Sequence, residues 1–193
     1  MVVKVGVLAL QGAFAKHCEM LSKIGALPQE VRKASDLDSC SGLIIPGGES
    51  TTIWRSIHFS QMYEKISEFG KTKPIFGTCA GLILMSKKVL GDSFKPFGFL
   101  NIEVERNAFG RQAESFRTEL TVQIDTKQTK TVPALFIRAP RIRAVGEDVE
   151  ILAQYEDEPV LVRQGLYLGS TFHTELSSDS SIHELFLTLI QKK

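Results

Sequence analysis

The chain has 193 residues, 43% of them hydrophobic, which suits one sizeable core and leaves too little length for two ordinary domains. Its 23 lysines and arginines nearly cancel 22 aspartates and glutamates, a net charge of +1, which removes the basic excess of a nucleic-acid binder. No apolar run has the length of a membrane span or a signal-peptide core, and the three cysteines do not suit a secreted disulfide framework; a cytoplasmic chain without membrane contact is expected.

Taken in chain order, residues 2–10 read as a buried strand, and Phe14, Cys18, Leu21 and Ile24 follow at helical spacing. Residues 43–45 form a second buried strand, broken by Pro46-Gly47-Gly48, after which Ile53, Ile57 and residues 62–69 give helical spacing ended by Gly70. The pattern repeats with a strand at 74–76, a tight turn at 77–81 and an apolar helix at 82–89. Beyond it, residues 99–105, 119–124, 134–137, 149–155, 160–163 and 167–171 are strand-like, 125–131 is a polar loop, and 181–190 a closing helix. No repeat, linker or low-complexity tract divides residues 1–193, which read as one unit. Alternating βα units followed by clustered strands predict a three-layer α/β fold, a mostly parallel sheet with helices on both faces and an antiparallel extension. Ligands bind such sheets beyond the carboxyl ends of the strands, so the turns at Gln11-Gly12, 46–52, 77–81 and 173–175 are the places for a site.

Gly77-Thr78-Cys79-Ala80-Gly81 places a cysteine on a sharp strand-to-helix turn between glycines, the form of a nucleophile elbow, where the helix N-terminus favours thiolate. The competing reading is a buried structural cysteine among packing glycines. Cys18 falls on an apolar helical stripe and Cys40 in a polar loop, and neither calls for chemistry. A thiolate needs a base, and of His17, His58, His173 and His183 only His173 has a nearby carboxylate: in an extended segment it shares a face with Glu175. His17 and His183 sit on amphipathic helices and are expected to be solvated; His58 has no nearby acid. In Pro46-Gly47-Gly48-Glu49-Ser50-Thr51-Thr52 the glycines let backbone N–H groups approach a developing oxyanion, while the plainer reading is a turn capped by Ser50 or Thr51. A phosphate loop lacks its lysine. Arg106 and Arg138 could grip a carboxylate or simply face solvent.

Together these motifs resemble the class I glutamine amidotransferase family, whose fold is a flavodoxin-like three-layer sheet. More narrowly, Gly6-Val7-Leu8-Ala9-Leu10-Gln11-Gly12, Glu105-Arg106-Asn107-Ala108-Phe109-Gly110-Arg111-Gln112, Ser115-Phe116 and Phe136-Ile137-Arg138-Ala139-Pro140 resemble the glutaminase subunits of pyridoxal 5′-phosphate synthases. The resemblance implies Cys79 as nucleophile, His173 as general base and acid, and Glu175 as its orienting carboxylate. It also implies that Gly48, Glu49, Ser50, Arg106, Ile137 and Arg138 bind L-glutamine, with Gly47, Ala80 and Gln11 near the oxyanion site or the partner interface. It further implies no cofactor, and docking on a (β/α)₈ synthase subunit, up to twelve on a dodecameric core, that receives the ammonia; the family's glutaminase is typically idle until docked. One departure is Thr174, where the family usually has proline between histidine and glutamate. The rivals are a peptidase using the same elbow, which leaves the Gly47-Gly48-Glu49-Ser50-Thr51 loop and His173-x-Glu175 unexplained, and a silent docking subunit, against which the intact Cys79, His173 and Glu175 argue.

Overall fold

The computed structural model describes residues 2–92, 94–106 and 115–191. The part of the resemblance carried by residues 107–112 lies outside them. Its first half runs β1 (Lys4–Leu8), α1 (Phe14–Lys23), β2 (Leu27–Val31), β3 (Gly42–Ile45), α2 (Ser50–Phe59), α3 (Tyr63–Gly70), β4 (Ile75–Thr78) and α4 (Ala80–Met85). The second half runs β5 (Ser86–Leu90), β6 (Leu100–Glu105), β7 (Ser115–Gln123), β8 (Thr129–Ile137), β9 (Arg141–Val145), β10 (Glu150–Tyr155), β11 (Glu158–Gln164), β12 (Tyr167–Ser170) and α5 (Ser181–Gln191).

Seven strands form the main sheet in the order β10-β11-β12-β4-β3-β1-β2. From β12 to β2 every pairing is parallel, while β10, β11 and β12 pair antiparallel, so the expected parallel sheet with an antiparallel extension is present. Side chains of successive residues leave opposite faces of a strand, and the core divides accordingly. Leu43, Ile45 and Ile75 pack with Ile53, Ile57, Ile66 and Leu84 under α2, α3 and α4. Val5, Val7, Ile44 and Phe76 pack with Leu21, Leu185 and Phe186 under α1 and α5.

Three expectations need correction, and two strands were not expected at all. The apolar run 82–89 is not one helix: α4 ends at Met85, Ser86 turns extended at ψ 161° to start β5, and an irregularity between Ser86 and Lys88 lets Ser86 and Val89 both face inward while Lys87 and Lys88 face out. Not all second-half strands extend the main sheet; β5, β6 and β9 form a three-stranded sheet and β7 with β8 a hairpin. The expected loop at 125–131 is shorter, since Asp125 Oδ1 accepts from the Lys127 and Gln128 amides in a tight turn and β8 starts at Thr129. Strands β2 and β9 carry too little apolar alternation, LPQEV and RIRAV, to announce themselves.

Candidate active site

The carboxyl ends of β1, β3, β4 and β12 are neighbours in the sheet, and the turns leaving them converge. β4 delivers Cys79 at φ +49° and ψ −103°, a conformation that L-residues rarely hold, and Cys79 N–H donates to Ser170 O of β12 at 2.8 Å. The flanking glycine is obligatory: a Cβ on Gly81 would lie 1.9 Å from the Ile45 carbonyl oxygen, so only glycine lets α4 start against β3.

β12 runs into His173, and the chain then enters a short 3₁₀ turn, Thr174–Leu176, instead of continuing extended. The turn still pairs the two side chains: His173 Nδ1 is 2.6 Å from Glu175 Oε1. Backbone His173 N–H is tied to Leu135 O of β8 at 2.9 Å. Its imidazole and the Cys79 side chain line the same cavity. Burial works against the imidazolium, but the bonds and charges of Cys79 and Glu175 prevail and raise His173 to about 10. Glu175 is fully enclosed; burial opposes its charge, yet His17 and the bond from His173 keep the carboxyl below its ordinary range.

Between β3 and α2 the backbone folds under this pair. A Cβ on Gly47 would stand 2.5 Å from His173 Cε1 and 3.4 Å from Cys79 Cβ. Gly47 N–H donates to Thr78 Oγ1 at 3.1 Å, and Gln11 Oε1 accepts from Glu49 N at 3.0 Å, which braces the loop from β1. Glu49, not Ser50 or Thr51, caps α2: its carboxylate accepts from Thr51 N at 3.1 Å and Thr52 N at 2.6 Å. Burial pushes Glu49 up, but the Thr52 and Thr51 donors together outweigh it and hold the group below the usual carboxylate range.

Gln11, Gly48, Glu49, Ser50, Cys79, Ala80, Arg106, Ile137, Arg138 and His173 all line one cavity of about 350 Å³, together with Ile83, which the sequence did not single out. Gly47 and Glu175 stand behind its wall. Arg106 is not a free surface cation: it is paired with Asp92 and reaches Thr51 Oγ1 at 3.1 Å and Glu49 Oε1 at 3.4 Å. Arg138 sits at φ +43°, the second strained residue on the cavity, and Ile137 O lies 3.9 Å from Cys79 Sγ. No metal-binding group of His, Cys, Asp and Glu occurs among the described residues. Equally, no helix there is long and apolar enough to cross a membrane.

Three sequence expectations fail here. His17 and His183 are not solvated but wholly buried, and Cys40 is buried with its thiol 3.2 Å from Asp36 O. The clue for His17 was its place on the α1 stripe, three residues after Phe14 and four before Leu21. Burial lowers His17 to about 4 and His183 to about 3, so both are neutral at pH 7.

The arrangement suits attack by a thiol on the carbonyl of a small polar substrate. Residues 7–192 match the family model described as SNO glutamine amidotransferase. The chain belongs to the SNO glutamine amidotransferase family. It is 48% identical over 191 residues, 98% of each chain, to a Brevibacillus brevis protein named pyridoxal 5′-phosphate synthase subunit PdxT. A Thermosipho africanus protein of the same name is 47% identical over 98% of this chain and all of its own. Among solved structures, one titled as a glutamine amidotransferase superposes with a TM-score of 0.91 at 44% identity, covering 97% of this chain and 98% of that one. PurLQS from Thermotoga maritima, at a TM-score of 0.74 and 16% identity over 97% and 99% of the two chains, shares the fold.

Proposed function

We propose that this glutamine amidotransferase hydrolyses L-glutamine to L-glutamate and ammonia, and hands the ammonia to a (β/α)₈ pyridoxal 5′-phosphate synthase subunit for vitamin B6 synthesis. The observation that carries the proposal is the convergence of Cys79, strained on its turn, with the His173–Glu175 pair in one cavity. That relatives matched over nearly their whole length are named as subunits of pyridoxal 5′-phosphate synthase supports the partner.

Cys79 thiolate attacks the side-chain amide carbon of glutamine, and the oxyanion meets backbone N–H groups of Gly48 and Ala80. His173 gives its proton to the departing ammonia. Water then adds to the γ-glutamyl thioester as His173 takes its proton, releasing glutamate and the thiolate. Glu175 fixes the tautomer of His173 and balances its charge. Arg106, Arg138 and Glu49 offer the charges that a zwitterionic substrate needs, with Ser50 and Ile137 completing the wall. No organic cofactor or metal takes part. Residues 1–193 act as one unit in the cytoplasm, up to twelve copies on a dodecameric synthase.

The test is glutamate release by the purified chain, alone and with a synthase subunit, against Cys79→Ala. Activity that needs both the partner and Cys79 is the expected result. Turnover by Cys79→Ala would sink the triad, and a chain that forms the complex but stays silent would leave a docking subunit.

A further inference from the structure

Two histidines that this chemistry does not use stand behind Glu175. His17 comes from α1 and His183 from α5, and neither has any exposed surface. His17 Nδ1 is 2.9 Å from His183 Nε2. On its other side His17 Nε2 is 3.2 Å from Thr78 Oγ1 and 3.4 Å from Glu175 Oε2. Thr78 is the residue whose hydroxyl oxygen accepts Gly47 N–H, so one imidazole touches both the carboxylate behind the base and the support of the loop beneath it.

The protons can be placed by asking which arrangement leaves fewer buried groups unpaired. Glu175 Oε2 and His183 Nδ1 are buried without a hydrogen-bond partner among the described residues. If His17 carries its proton on Nε2, that N–H is directed at Thr78 Oγ1 with Glu175 Oε2 only 3.4 Å from the nitrogen, so the carboxylate oxygen faces an N–H rather than a lone pair. His183 then donates its Nε2–H to His17 Nδ1, and only a bare lone pair remains at His183 Nδ1. The reverse placement turns a lone pair of His17 toward the carboxylate and strands an N–H at His183 Nδ1. Only the first is consistent with an enclosed, ionised Glu175.

We infer that His17 is a positioning residue for the glutaminase reaction: its Nε2–H, fixed in that tautomer by His183, holds the far oxygen of Glu175 and thereby sets the near oxygen against His173. This rests on the glutaminase reading above. The near oxygen is 2.6 Å from His173 Nδ1, so a rotation of the carboxylate would move the base as well. Burial keeps both supporting histidines uncharged, which lets them supply a directed N–H without a second buried cation. The titratable groups that face Glu175 are His17 from α1 and His173 from its own turn, with His183 of α5 behind the first and Cys79 of the β4 turn beyond the second.

The test has two parts. ¹⁵N-histidine NMR of the unmutated chain at pH 7, with His17 assigned by its loss in His17→Gln, is expected to show Nε2 protonated and Nδ1 bare. A proton on Nδ1 overturns the inference with no variant activity involved. In the synthase complex, His17→Phe keeps the volume but loses the donor, and its kcat is expected to fall about 10- to 100-fold with KM little changed. The acid limb of its pH profile should move up by about one unit, because Glu175 loses a donor to its charged form. His17→Gln, which places an N–H near the same point, should restore most of the rate and the original limb. Equal losses in Phe and Gln variants would mean packing alone and overturn the inference, as would a folded His17→Phe enzyme with parental kcat and pH profile. If His17→Phe does not fold, the tautomer and His17→Gln decide. A dead Cys79→Ala beside a fully active His17→Phe would remove only this inference; an active Cys79→Ala would remove the reading beneath it.

Discussion

Gly47→Ala isolates the position of His173, the proposed base, from everything else in the site. The added Cβ would lie 2.5 Å from His173 Cε1 and 3.1 Å from Nδ1, whereas carbon atoms in contact prefer about 3.5–4.0 Å, so about 1 Å must be found. The loop cannot readily supply it, because Gly47 N–H is held by Thr78 Oγ1 and Gly47 O accepts Ala13 N–H at 3.0 Å. Gly47 lies outside the left-handed region, so alanine fits its backbone and the perturbation falls on the His173 ring. Misplacing a reacting group by about 1 Å costs on the order of 100-fold in rate, or about 2.7 kcal/mol of barrier. The assay is glutamine hydrolysis in the synthase complex, with kcat and KM separated; the expected result is a kcat drop of that size with KM nearly unchanged, since the cavity wall from Gly48 to Arg138 is untouched. A folded variant within about threefold of the parental kcat would refute the placement of His173 as base.

Gly81→Ala acts on folding instead: its Cβ would meet a backbone oxygen of β3 at 1.9 Å, and a loss of about 3 kcal/mol or more is expected from urea midpoints. A stability within about 1 kcal/mol of the parent would contradict the packing of α4. Thr174→Pro should leave glutaminase activity unchanged or raised and stability slightly up, because Thr174 opens the 3₁₀ turn where a proline is tolerated, and its buried hydroxyl has no hydrogen-bond partner among the described residues. A large fall in either quantity would show that the turn differs from the family's. Stability should also fall on both sides of neutrality. His17 is held at about 4 and His183 at about 3 against an ordinary 6.5, so the unfolded chain binds more protons below pH 6.5, and stability drops as pH falls toward 4, on the order of 3 kcal/mol from His17 alone. His173 has the opposite sign: its raised value stabilises the fold below pH 6.5, and that contribution is lost as pH rises toward about 10. Urea titrations at pH 5, 7 and 9 that gave one midpoint would refute both assignments.

Much of the cavity was legible because turns after strands carry short, rigid signatures: Gly77 to Gly81, Gly47 to Ser50 and His173 with Glu175 each sit where their spacing placed them. The narrow resemblance added Arg106, Ile137 and Arg138, which no local pattern would have joined to Cys79. What the sequence concealed was the second partner of side chains already noted. The sequence left Arg106 open between gripping a carboxylate and facing solvent, and gave no sign of its pairing with Asp92, fourteen residues earlier. His17 and His183 looked solvated because histidine is ambiguous on a helical face, and their burial depends on α1 and α5 lying side by side across 166 residues of sequence. Strands β2, β5 and β9 escaped for a plainer reason: tertiary pairing, not intrinsic alternation, makes them strands.

The place of β12 in the sheet has a consequence for the order of assembly. It is the last of the seven strands in sequence, yet it lies inside the sheet between β11 and β4. Its Ser170 carbonyl is what receives the Cys79 amide, so the strained turn has no clamp until β12 is inserted. During synthesis, then, the thiol half of the molecule is made long before the imidazole half, and β4 waits with an open edge. Closing that edge requires contacts between residues about ninety positions apart, which makes it a slow, late event by the rule that distant pairings form after local ones. The strained geometry of Cys79, the placement of His173 and the closure of the sheet thus arrive in one step, and Cys79 is not held on its turn until that step is complete.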